Sequence, residues 1–391
     1  MTTKALSKTA LKHIGLPSRT ASEAQTAERV RLAQCTPTDL RWKKWGPYLS
    51  ERQWGTVRED YSPHGNAWDY FPHDHARSRV YRWGEDGIAG FSDNEQHLCL
   101  SLALWNERDP ILKERLFGLT NGEGNHGEDV KEIYYYLDAT PTHSYLKMLY
   151  KYPQREFPYV NLVEENRRRD VGAPEYELVD AGAFAENRYF DVFVEYAQAN
   201  VDDVLMRITA HNRGPDAAVL HILPQLVFRN TWRWKHGAPR PEMSLVDGHV
   251  VATHDQLGAY NWYVDGESSV ARSPLSASVG ASDAQRITHD AQLPALRWLF
   301  TANETNTERL YGVPNDGFVK DAFHQYVVHG DASAVNPAND GTKAAAWRRL
   351  VIPAGASVEI RSRLTKKDVA DPFTDFDAIF VTRLREADQF Y

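Results

Sequence analysis

Leu98, Leu100, Leu102 and Leu104 occupy every second position of the run QHLCLSLALW, residues 96–105. Alternate side chains of an extended chain point to opposite faces, so this spacing predicts a strand with one face committed to a hydrophobic core. The intervening set, Cys99, Ser101, Ala103 and Trp105, is mostly small and suits a second packed layer. The same logic recurs in RYFDVFVEYA and in DDVLMRITAHNRGPDAAVLHILPQLVFRN, where runs rich in Val, Ile, Phe and Tyr are interrupted by turn chemistry at residues 212–216. AAWRRLVIPAGASVEIRSRLT reads as two alternating strands across residues 353–356, a hairpin-like device at a closing edge. Short strands joined by tight turns, with no helical period between them, predict a mainly β chain: a large antiparallel β-sandwich with a few helices and long loops.

Three stretches divide the chain. Residues 1–40 read as a lead followed by a short helix from Glu23 to Gln34, where Ala, Glu, Gln and Arg dominate and Pro37 closes the run. The sandwich domain spans 41–370, with the fold proper starting at Trp42. In the last stretch, 371–391, Phe376, Ile379, Phe380 and Leu384 recur at helical spacing, with Asp371 and Pro372 at the expected start. An apolar stripe running to the terminus is expected to have lost its packing partner, so this segment reads as a linker helix leading to a domain missing after Tyr391.

Composition removes several classes. A formal net charge of −8 with interleaved basic and acidic residues builds no positive face, which argues against nucleic acid and anionic lipid as partners. No stretch approaches the roughly 18 apolar residues of a membrane span. The start carries Lys4, Lys8 and Lys12 and no acidic residue before Glu23, but it lacks the apolar run of a secretory signal; a disordered lead is expected, with a transit peptide as the alternative. Two cysteines, Cys35 and Cys99, exclude a disulfide framework and favour a reducing compartment, so a cytoplasmic location is expected. Neither G-x-S-x-G nor a phosphate-binding G-x-x-x-x-G-K-[ST] occurs.

The densest polar window is NGEGNHGEDVKE, residues 121–132, in which Gly122, Gly124 and Gly127 permit a tight loop and Glu123, His126, Glu128 and Asp129 crowd it with ionisable groups. The literal G-x-G-x-x-G would need a parallel strand before it and would set three acids against a phosphate, which disfavours a dinucleotide. Metal binding would need His126 with Glu128 or Asp129, or His73 and His75, without any paired ligand spacing. Glycoside hydrolysis needs carboxyl groups roughly 5–5.5 Å or 6.5–9.5 Å apart, which adjacent acids do not obviously supply. A solvated acidic loop capping a helix from Glu128 to Leu137 is the simplest reading, and contact with a sugar in a neighbouring cleft is the functional one. Eleven tryptophans add aromatic surface that can stack on sugar rings or fill a core. Trp232 and Trp234, expected on one alternate face, and Trp54 with Arg58 in the charged, aromatic stretch 46–87 complete the candidates for substrate binding. No cofactor is expected.

The stretches WKKWGPYLSERQWGTVREDYS, FPHDHARSRVYRWGEDGIAGFSD, LWNERDPILKERLFGLTNGEGNHGEDVKEIYYYLDATPTHSYLKMLYKYPQ and ITAHNRGPDAAVLHILPQLVFRNTW resemble bacterial glucosidase-like members of glycoside hydrolase family 63. The resemblance implies an amino-terminal β-sandwich followed by an (α/α)6 barrel whose general acid and general base hydrolyse a glycosidic bond with inversion. It implies a carbohydrate substrate, an α-glucoside or related small sugar, and a catalytic (α/α)6 domain in cis or in trans as partner. No residue of this chain matches the family's acid or base, so no catalytic residue is assigned. A carbohydrate-binding or scaffold protein without hydrolytic activity is the alternative from another class. A stand-alone enzyme using Glu123, Glu128, Asp129 or Asp86 is the third.

Overall fold

In the computed structural model, which describes residues 25–53, 72–125, 129–234, 237–266 and 295–391, two antiparallel sheets face each other across one hydrophobic core. The strands are β1 Trp45–Pro47, β2 Ile88–Asp93, β3 Leu98–Trp105, β4 Gly118–Leu119, β5 Asp129–Val130, β6 Ile133–Ala139, β7 Tyr145–Pro153, β8 Tyr189–Asn200, β9 Asp203–Asn212, β10 Ala218–Phe228, β11 Glu242–Val246, β12 His249–His254, β13 Gly258–Val264, β14 Arg297–Thr301, β15 Asp340–Gly341, β16 Lys343–Ile352 and β17 Ser357–Thr365. One sheet has the order β1-β2-β3-β10-β16-β14 and the other β15-β11-β12-β13-β17-β9-β8-β7-β6, while β4 and β5 form a separate pair. Among the described residues no helix is long and apolar enough to cross a membrane.

The alternation in β3 does what its spacing requires. Leu98, Leu100, Leu102 and Leu104 enter the inter-sheet core with Leu220, Ile222 and Leu226 of β10 and Val192, Val194 and Ile208 of the opposite sheet. Ala103 faces the other way into a smaller cluster with Leu112, Leu223 and Phe323.

Two turns join strands of different sheets, and the one at 353–356 differs from the hairpin at a closing edge that its sequence suggests. β9 pairs with β8 and β17, whereas β10 pairs with β3 and β16. Likewise β16 lies in the six-stranded sheet and β17 in the nine-stranded one, and neither is an edge. Residues 213–217 and 353–356 are therefore arches that carry the chain from one sheet to the other. The buried Asn212 side chain holds both: its amide donates to the carbonyls of Asp216 at 2.7 Å and Ile352 at 2.9 Å, and its oxygen accepts from Gly214 N at 2.8 Å and Gln154 Nε2 at 2.6 Å. Alternation specifies only which side chains reach the core, and both sheets line the same core; the turn geometry selects the sheet.

The helices are α1 Ala27–Gln34, α2 His73–Ala76, α3 Tyr159–Arg168, α4 Thr307–Tyr311, α5 Ala322–His329 and α6 Phe376–Phe390. The expected helix from Glu128 to Leu137 is not formed: β5 and β6 occupy its described part, and Tyr134 of β6 packs on the main core. α6 starts at Phe376 rather than at Asp371, because Arg363 takes the carbonyl of Pro372 at 2.9 Å and the carboxylate of Asp375 at 2.7 Å while clamping Asp203. Its apolar side is covered within the chain, contrary to the expected loss of partner. Phe376, Phe380 and Ala387 are buried against Tyr145, Ala197 and Leu205 on the outer face of the nine-stranded sheet, while Leu384 of the expected stripe stays 41 % exposed. α1, expected only as part of a lead, is likewise built in: Arg31 bonds Glu386 at 2.9 Å, and the Arg31 and Arg383 guanidinium groups each lie 5.4 Å from the Trp42 ring.

Candidate functional site

An open groove of about 1000 Å³ lies on the outer side of the six-stranded sheet, between α2, α3 and α5. Local sequence explains each wall. Pro72 and Pro158 immediately precede α2 and α3, where a fixed φ and a missing N–H are tolerated at a helix start. In α3, Leu162 and Asn166 face inward, and Asn166 bonds both the carbonyl and the N–H of Tyr176, pinning the helix to the following loop. α5 ends at Gly330, whose φ of 72° is the left-handed stop that glycine adopts without penalty.

Aromatic rings form the inner wall. His73 stacks on Tyr159 at 5.6 Å and meets Phe117 edge-on at 5.1 Å, and Phe157 lies 4.5 Å from Tyr159. Behind them the Lys113 ammonium sits 3.5 Å from the Phe157 ring centre and bonds Glu132 at 2.8 Å, with both side chains fully buried. Glu132 also accepts from Phe117 N at 2.9 Å and the Tyr150 hydroxyl at 2.9 Å. Asp109 accepts from the Tyr152 and Tyr159 hydroxyls at 3.0 and 3.2 Å. Burial pushes both carboxyl pKa values up, Lys113 and the hydrogen bonds pulling in the other direction without cancelling it. These groups fix the wall from below, beneath the Phe117, Phe157 and Tyr159 side chains that line the groove.

The polar groups on the groove surface divide by electrostatics. Burial drives the His73 pKa well down, and the Arg115, Lys113 and Arg77 charges lower it further, so its imidazole is neutral at physiological pH. His324 is lowered to about 3, first by burial and then by Arg77; its Nδ1 accepts from Leu112 N at 3.2 Å and its ring meets His329 at 4.8 Å. Asp74 is held down, against its partial burial, by two 2.7 Å bonds from Arg309 and by Arg77. Glu123, Glu156 and Glu164 add carboxylates to the rim. The arrangement offers an apolar wall, neutral imidazoles, hydrogen-bond-accepting carboxylates and the donating Arg77 and Arg167 guanidinium groups, a mixture of donors and acceptors that can engage hydroxyl groups. Among the described residues, no group of three His, Cys, Asp or Glu side chains could hold a metal ion, and His73 and His75 of the sequence-based metal reading are not joined by a third ligand.

Of the residues selected from sequence, Glu123 is brought to the groove, where it also closes a capping box: its carboxylate accepts from Thr120 N at 2.9 Å at the start of the short 3-10 turn Asn121–Glu123. His126 and Glu128 lie outside the described residues, as do Trp54 and Arg58, and of Asp129 only the backbone, in β5, is described. Trp232 and Trp234 do not share a face. β10 stops at Phe228 and the following residues turn, so strand alternation no longer applies: Trp232 packs into the main core with its Nε1 donating to Glu304 at 3.3 Å, whereas Trp234 is 48 % exposed, stacked on Trp83 at 5.0 Å beneath Arg229. Phe157, Tyr159 and His324 were missed by sequence reasoning. The aromatic-Pro-aromatic run Phe157-Pro158-Tyr159 between a strand and a helix was the available signal; His324 carried none.

No family model matches the chain. It is similar to the uncharacterized protein YMR196W of Saccharomyces cerevisiae, with 43 % identity over 389 residues, covering 94 % of this chain and 36 % of the yeast protein. The chain thus spans about a third of the length of that relative.

Proposed function

We propose that this chain is the β-sandwich portion of a larger inverting glycosidase of the family 63 type, acting on an α-glucoside or related small sugar, and that it supports a catalytic (α/α)6 barrel and shapes the mouth of its cleft. The observation that carries the reading is the groove beside α3, which puts Glu123 and an aromatic wall at the same open surface. Carboxylates accept hydrogen bonds from sugar hydroxyls, and ring edges and faces provide the apolar contact that a pyranose requires. The length of the yeast relative beyond the matched region leaves room for a catalytic domain in that protein.

The test uses a longer protein that contains this sequence, assayed on α-linked glucosides by NMR detection of the released anomer. Release of β-glucose from an α-glucoside supports an inverting glycosidase. Alanine at Glu123 is then expected to lower kcat/KM by about tenfold if the groove shapes the cleft, on the scale of a lost charged hydrogen bond. An unchanged kcat/KM removes the groove from the cleft. Sugar binding without hydrolysis by the longer protein replaces the enzyme reading with the carbohydrate-binding one.

A further inference from the structure

A second hollow, of about 520 Å³, is separated from the groove by Glu156, which lines both. Three guanidinium groups line it: Arg108 from the turn after β3, Arg155 after β7, and Arg188 just before β8. No carboxylate among the described residues pairs with Arg108. The neighbouring Glu107, also on the lining, bonds Arg349 at 2.6 Å and His221 at 3.0 Å through its Oε1. Arg155 and Arg188 share one carboxylate: Glu186 Oε1 lies 3.0 Å from Arg155 Nη2 and Oε2 lies 3.2 Å from Arg188 Nε, and Arg188 also reaches Asp216 at 2.8 Å.

Backbone conformation is unusual at the same place. Glu107, Glu186 and Asn187 have φ of 60°, 59° and 56°, left-handed values that side chains with a Cβ rarely adopt. Such residues persist where the surroundings hold them and cluster at ligand clamps. Here the left-handed turn at 186–187 delivers a carboxylate to two arginines at the mouth of a hollow. The ion pairs involved are exposed, with Arg155 44 % and Glu186 62 % accessible, so solvent screens them and exchange for another anion costs little.

We infer that this hollow is an oxyanion site for the phosphate or carboxylate group of a small solute, and that Glu186, which holds two of the lining arginines, is an internal carboxylate that the ligand displaces from them. Planar guanidinium forks match such anions with paired hydrogen bonds. Glu107, Glu156 and a net charge of −8 keep the region from acting as a general anion-attracting patch, which restricts the site to a ligand that fits between the arginines. The inference is independent of the glycosidase reading.

Isothermal titration of the full chain with inorganic phosphate and, separately, with malonate, each matched to chloride in ionic strength, tests it and distinguishes the two anion types. Saturable binding at one site is expected for at least one of them. Arg108→Gln with Arg155→Gln should weaken it by about tenfold, and Glu186→Gln should tighten it by about threefold, because the competing carboxylate becomes an amide. All three positions are solvent-facing, so unchanged circular dichroism confirms folding. No saturable binding of either anion up to roughly 20 mM, or binding that the double arginine variant leaves intact, overturns the site. Unchanged or weaker binding by the Glu186→Gln variant overturns the displacement.

Discussion

Replacement of Glu28 by alanine should unfold a measurable fraction of the stability of this protein, although the residue lies in a short terminal helix. The carboxylate is fully buried and accepts from Thr142 N at 2.6 Å, Thr142 Oγ1 at 2.7 Å, Ser144 Oγ at 2.9 Å and Arg31 Nε at 2.9 Å. It therefore fastens α1 to the β6–β7 turn. Truncation leaves three buried donors without their acceptor and Arg31 with Glu386 alone. Breaking a buried pair from one side costs about 3–5 kcal/mol, and the cost falls near the lower end of that range here because Arg31 retains Glu386. Glu28→Gln keeps the shape and one acceptor oxygen, so about half that loss is expected. The sign of the pH dependence follows from the carboxyl pKa. Burial alone would raise it, but the bonds from Thr142, Arg31 and Ser144 outweigh burial and bring it below 4.5. Its stabilisation is thus present above pH 4.5 and is lost as pH falls through the lower, folded-state value. Urea denaturation of the parent and both variants at pH 7 and at pH 4 and below measures this. A Glu28→Ala penalty under about 1 kcal/mol at pH 7, or one that does not shrink in acid, would refute the reasoning.

Lys113→Met should destabilise by about 3–5 kcal/mol because the buried Glu132 loses its partner behind the groove wall, and Lys113→Met with Glu132→Gln should cost less than the single change, as read from denaturant midpoints. Asn212→Ala removes four hydrogen bonds that hold the two inter-sheet arches and should cost about 3 kcal/mol, with enhanced amide exchange confined first to residues around 213–217 and 353–356. Burial raises the Cys99 thiol to about 12, whereas Cys35 is half-exposed, so a thiol reagent at pH 8 should label one cysteine per native chain rapidly and the second only after denaturation.

Much of the mainly β architecture is written in the order of side chains, and little of the site is. The two-residue period of Leu98 to Leu104 identifies a strand and its core face, and the runs that become β8, β9 and β10 are equally plain, because pleat geometry acts on neighbours along the chain. The terminal stripe likewise identifies α6. Its partner was not legible: the stripe states that Phe376 and Phe380 require apolar cover, but not that Tyr145, Ala197 and Leu205 provide it.

Tertiary structure decided which sheet each strand joins, since a common core accepts the same alternation from either side and Asn212 selects the arch over the hairpin. It also made β5 and β6 where a charged, glycine-flanked run suggested a helix; Glu132 there is satisfied by Lys113, Phe117 N and Tyr150. The groove follows the same rule. Glu123 was visible as part of a dense polar loop, but Tyr159, Phe157 and His324 converge on it only through folding, since His324 receives its hydrogen bond from Leu112, far away in sequence. Periodicity is a local property that the sequence carries by itself, whereas the pairing of buried charges and the assembly of a concave surface depend on contacts between distant residues, which only the packed sheets bring together.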